Sequence, residues 1–152
     1  MKWRDISDDW WTIPGSFAKN GLAHRVPITR AAKAFVQPSA HEASEYVFPN
    51  LTGTEPAPYD LIRKTFTSVR RNIGLDDLRP HDLRRTVASH LAGMGVGRLV
   101  LGKVLNHAER GVTAVYDRHS YDAEKRYALE RWAAKCFNEA AAVNVVQLHG
   151  PN

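Results

Sequence analysis

Apolar residues change their spacing once along this chain, and the change divides it in two. Up to Ile28 they fall in short aromatic and β-branched clusters. Met1–Asp5, Trp10–Pro14 and Ala23–Ile28 predict three short strands, with the polar stretch from Gly15 to Gly21 as a turn. Trp10 and Trp11 are neighbours, so a strand sends one to each face of the sheet, where both are expected to pack. From Thr29 the spacing is helical. Thr29 can cap a helix over Arg30–Val36, and Pro38 stops it. Pro38, Pro49, Pro56 and Pro58 mark residues 37–58 as a connection, with Tyr46-Val47-Phe48 as its buried anchor.

Leu61, Ile62, Phe66, Val69 and Ile73 recur at helical spacing and predict an amphipathic helix over Tyr59–Ile73, ended by Gly74. Pro80 suits the first turn of the next helix, which runs to Met94 with Leu83, Val87 and Leu91 on one face. After Gly93, Gly95 and Gly97 a short helix covers Arg98–Leu105, and Gly111 interrupts before Val112–Asp117. A last helix, Asp122–Val143, carries the stripe Leu129, Trp132, Ala133 and Phe137. The pattern predicts a mainly α chain with a small N-terminal antiparallel β-sheet, an α+β fold. It is read as one domain over 1–152, with the sheet in 1–28, a helical part in 29–143 and a frayed tail in 144–152.

Composition narrows the function. With 152 residues, 43% hydrophobic and 24% charged, the chain suits one soluble globular core. It has no apolar run of membrane-spanning length and no apolar leader at its N-terminus, and its single cysteine, Cys136, fits a reducing cytoplasm. The net charge is +5. Residues 63–118 hold eleven Lys/Arg against five Asp/Glu, while the remainder is close to neutral at ten against eleven. Gathering the whole excess into one segment is what binding a phosphate backbone requires; a merely solvated helical surface is the plainer reading.

Four groups of residues could carry chemistry. His81 and Arg84 stand three apart at a helix start, so both can face one target. Arginine adds a planar, permanently charged fork that matches phosphate oxygens. Leu105-Asn106-His107 follows, and nine residues on comes Tyr116, within Val115-Tyr116-Asp117-Arg118. Upstream, Lys19 lies in the turn between two predicted strands, before His24-Arg25-Val26-Pro27. Singly, each has an ordinary structural explanation: a core tyrosine, a polar histidine contact, a solvated lysine.

In this order the set resembles the tyrosine recombinases, the family of the phage integrases. Trp3-Arg4-Asp5-Ile6 is similar to the strand after that family's first arginine helix, Lys19-Asn20 through Val26-Pro27-Ile28 to its lysine hairpin, and His81-Asp82-Leu83-Arg84-Arg85-Thr86 to its second motif. The likeness covers roughly residues 1–135. It implies that Tyr116 is the nucleophile, that Arg84 and His107 hold the phosphate, that His81 helps to deprotonate the tyrosine, and that Lys19 protonates the leaving oxygen. It implies double-stranded DNA as partner and a homo-tetramer in the intact protein, in the cytoplasm of a bacterium or from a phage, with no metal and no cofactor.

Two departures stand out. Leu-Asn-His replaces the commoner Leu-Gly-His, which asparagine's tolerance of left-handed backbone makes inexpensive. The family's first arginine belongs to a helix before Met1, so a fragment cut at this point is expected to be weak or inactive. A DNA-binding remnant without turnover is the main alternative. A metal-dependent hydrolase is disfavoured because His81, His90 and His107 are too dispersed for a metal site. A nicking enzyme related to type IB topoisomerases shares the tyrosine chemistry. Tyr121 is a second nearby tyrosine, and the spacing from Leu105-Asn106-His107 selects Tyr116.

Overall fold

The computed structural model describes residues 1–18, 20–38, 44–107 and 119–147, with side chains as far as Asn138. It has the expected α+β character. Three strands, β1 (Ile6–Ser7), β2 (Trp10–Ile13) and β3 (His24–Pro27), form an antiparallel sheet in the order β1-β2-β3. Among the described residues five helices follow: α1 (Arg30–Lys33), α2 (Tyr59–Asn72), α3 (Pro80–Gly93), α4 (Arg98–Val104) and α5 (Asp122–Gln147).

The first predicted strand is displaced. Trp3–Asp5 forms a 3-10 turn, closed where the Lys2 amide donates to the Asp5 carboxylate at 3.3 Å. β1 begins only at Ile6, and Asp8 and Asp9 then turn the chain into β2 with φ of 50° and 64°. Two consecutive left-handed residues suit the twist of a tight hairpin, and aspartate is among the few side chains that accept that geometry. Met1–Trp3 pairs with the connection instead: the Trp3 amide donates to Glu45 O at 3.0 Å, and the Val47 amide donates to Met1 O at 3.2 Å. Val47 is the buried anchor of that connection.

Helix starts follow local chemistry. The Ala32 amide donates to Thr29 Oγ1 at 3.1 Å, the cap read from the sequence, although α1 is only four residues long and loosens into turns before Val36. At the head of α3, Asp82 accepts from the Arg79 amide at 2.9 Å and Pro80 occupies the first turn. α5 runs four residues beyond its predicted end at Val143.

α5 folds back on its own chain, packing on β3, α4, α3 and α1. Trp132 stacks on His90 with ring centroids 5.1 Å apart. Leu91 is fully buried, and Trp10, Ile28, Val47, Leu105 and Ala128 are the other buried apolar residues among those described. The apolar stripe of α2 is uncovered: Leu61, Ile62, Val69 and Ile73 are each about half exposed. Trp11 faces away from Trp10's side of the sheet and lines a 540 Å³ cavity with Met1, Ile13, Phe17 and Tyr46. Among the described residues, no helix is long and apolar enough to cross a membrane.

Candidate active site

The site grows from two helix ends that meet. α3 begins at Pro80, so His81 and Arg84 sit in its first turns, and both side chains are exposed. α4 ends at Val104, leaving carbonyls without helical partners. Arg84 Nη2 donates to one of these, the carbonyl of buried Leu105. One guanidinium N–H thereby ties the two ends together.

The chain leaves α4 through Asn106, whose φ of 52° is left-handed. Such a residue closes a helix by letting the next amide reach back, and the His107 amide donates to Gly102 O at 2.9 Å. This reversal turns His107 out to the surface, just beyond the carbonyl that Arg84 grips. The tolerance of asparagine for left-handed backbone, read from the sequence, is used here.

The turn between β2 and β3 reaches the same place. Asn20 Nδ2 donates to Asn106 Oδ1 at 3.2 Å, while Asn20 Oδ1 accepts from the Leu22 amide at 3.1 Å. The turn is tight at its base, since a side chain at Gly15 would come within 2.4 Å of Gly21 O. Lys19 and Tyr116, the lysine and the tyrosine of the sequence reading, lie outside the described residues. Among the described residues, Arg84 of α3 reaches the α4 exit that leads to His107, Asn20 touches Asn106 on that exit, and His81 lies three residues before Arg84 on α3.

Two features were given no role in the sequence reading. His24 on β3 is half-buried next to this site; burial first, and then the charge of Lys125, hold its imidazole below the ordinary histidine range. Arg84 acts in the same direction more weakly, and a hydrogen bond to the backbone of Val104 opposes them. Two cationic groups, Lys125 and Arg84, thus add to burial in disfavouring protonation of this ring. Behind it, Asp122 at the head of α5 binds Arg25, and Lys125 Nζ stands 2.9 Å from its Oδ1. Lys125 is buried, donates to the Arg25 carbonyl at 3.0 Å, and lies with Arg25 and Arg126 around the ring of Trp10, at 5.4, 4.7 and 4.6 Å from its centroid. Tyr121 sits at the entry to α5 with φ of 52°, its ring edge-on to His119 at 4.7 Å and beneath Lys103 at 5.4 Å.

Residues 1–123 match the model of the phage integrase family, four-fifths of the chain and every motif described above. The chain belongs to the phage integrase family. Among curated proteins, this integrase-family chain is 29% identical to the tyrosine recombinase XerC of Erythrobacter litoralis over 116 residues, 73% of the chain and 37% of that protein. It is 30% identical to the tyrosine recombinase XerC of Brucella melitensis over 109 residues, 69% of the chain and 34% of that protein. The integrase-family chain thus spans about a third of the length of the curated relatives it matches. No solved structure matches it significantly.

Proposed function

We propose that this chain carries the strand-cleaving centre of a site-specific tyrosine recombinase, acting on double-stranded DNA. The observation that carries the reading is the meeting of Arg84, the Leu105-Asn106-His107 exit and the Asn20 turn in one place, in a chain of the integrase family. The Tyr116 hydroxyl attacks a backbone phosphorus, forming a 3′-phosphotyrosyl bond as the bond to the 5′-oxygen breaks. A tyrosine hydroxyl ordinarily ionises at about pH 10, so a base is needed, and His81 takes the proton. Arg84 and His107 neutralise charge building on the non-bridging oxygens. Lys19 gives its proton to the departing 5′-oxygen. The phosphotyrosyl bond preserves the energy of the broken one, so rejoining reverses the same step.

Arg84 is the one phosphate-clamping arginine that the resemblance places within these 152 residues. Removing a strong donor of this kind from such a centre costs about a hundredfold or more in rate. The intact enzyme works in the cytoplasm as a tetramer that pairs two duplexes.

The decisive comparison is wild type against Tyr116→Phe on a nicked duplex that traps the covalent intermediate. The expected result is an adduct from wild type alone, with equal DNA binding by both. Binding that falls steeply with salt and no adduct from either protein would favour a DNA-binding role without turnover. That second reading has one observation on its side: a basic groove of 430 Å³ on α2, lined by Arg63, Lys64, Thr67, Ser68, Arg71 and Asn72, which suits backbone phosphates.

A further inference from the structure

We propose that Asn106 is a positioning residue whose side chain latches the β2–β3 turn onto the exit of α4. The backbone at 106 must be left-handed, a conformation that glycine, asparagine and aspartate accept most readily. Glycine would satisfy the backbone and offer the turn nothing. Asparagine satisfies it and also extends an acceptor, Oδ1, to Asn20 Nδ2 at 3.2 Å.

Asn20 is used at both ends. Its Oδ1 accepts from the Leu22 amide at 3.1 Å, so the amide group that reaches Asn106 is also the group that shapes the turn. The Gly21 amide returns to Ala18 O at 2.9 Å, and Gly21 itself is left-handed at φ 72°. The contact is part-buried and joins segments 86 residues apart. On the other side of Asn106, the Leu105 carbonyl holds Arg84 and the His107 backbone is fixed on Gly102. The Asn106 side chain thus links the tip of the turn to the corner that holds Arg84, beside the His24 contact with the Val104 backbone. This rests on the recombinase reading only for what the turn delivers, namely Lys19, the neighbour of Asn20.

The test is amide exchange at Leu22 and Gly21 in the free full chain, in wild type, Asn106→Gly, Asn106→Asp, Asn20→Ala and the double variant Asn20→Ala/Asn106→Gly. Asn106→Gly keeps the backbone conformation and removes the acceptor, so exchange at Leu22 should rise about fivefold, as for one lost hydrogen bond. Asn106→Asp keeps both conformation and acceptor and should retain protection. In the Asn20→Ala background, Asn106→Gly should add nothing. Unchanged exchange in Asn106→Gly, an aspartate variant that behaves like glycine, or an undiminished effect without Asn20 would each overturn the latch.

A second arm asks what the latch delivers. Covalent trapping is run on a duplex with the ordinary 5′-oxygen and on one with sulfur at that bridging atom, which leaves without a proton. Asn106→Gly should slow the first several-fold and spare the second; equal slowing would overturn the link to Lys19. If wild type traps nothing on either duplex, the strand-cleavage reading falls, and the exchange experiment still decides the latch.

Discussion

Arg25 on β3 and Asp122 at the head of α5 form an ion pair across 97 residues of sequence, and it joins the sheet to the helix that follows the tyrosine motif. The pair is not an isolated surface contact. Lys125 is buried against the same carboxylate, and the Trp10 ring lies beneath the cations. A charge this deep is tolerated only when paired and hydrogen-bonded.

Removing Lys125 should therefore cost more than removing an exposed ion. Lys125→Ala is expected to destabilise the chain by about 2 kcal/mol, less than a fully buried pair because Arg25 still faces Asp122. Lys33→Ala, which breaks an exposed pair with Asp9, should cost under about 0.5 kcal/mol. Urea unfolding of the two variants decides, and equal midpoints would contradict the buried assignment.

The depressed ionisation of His24 predicts a slope of stability with pH. Its folded imidazole binds protons less readily than the unfolded one. The stabilisation is thus fully present above the unfolded value, about 6.5, and is lost as pH falls below it toward the folded value. Wild type should lose stability from pH 7.5 to 5 more steeply than His24→Asn. Parallel urea midpoints across that range would show that His24 ionises alike in both states.

Core and surface should separate clearly in the helical part. Leu91 has no exposure, so Leu91→Ala should cost about 2–5 kcal/mol. Ile62 is 56% exposed on α2, and Ile62→Ala should cost about 0.5 kcal/mol or less. A large loss at Ile62 would mean that the α2 stripe is covered in solution.

Arg84→Lys separates charge from geometry. Lysine keeps one positive charge but cannot both hold the Leu105 carbonyl and present a planar fork to a phosphate. Covalent trapping should fall about a hundredfold. The salt dependence of DNA binding should stay close to wild type, because the phosphate charge is still met.

What the sequence makes legible here is local. Thr29 caps its helix, Pro80 starts α3, and Asn106 takes the left-handed position, because each depends on residues within four places along the chain. Long-range pairing is not written in spacing. Met1–Trp3 reads as a strand and does pair, but with residues 45–47, and the Asp8–Asp9 reversal then shifts β1 past Asp5. His24, Asp122 and Lys125 look like ordinary surface letters until the fold brings β3 and α5 together. An amphipathic α2 says that one face seeks cover, and periodicity cannot say what supplies it. Of the five residues assigned roles, Arg84, His81 and His107 fall on the two helix ends that Arg84 joins, while Lys19 and Tyr116 lie outside the described residues.

Trp10 is the buried member of the four tryptophans, whereas Trp3, Trp11 and Trp132 are each partly exposed. Its buried ring is flanked by three positive charges, two of them borne by α5. The chain thus carries its own optical gauge of the sheet–helix joint: lifting α5 strips those charges from the indole and admits water, which shifts its emission to longer wavelength without any added label.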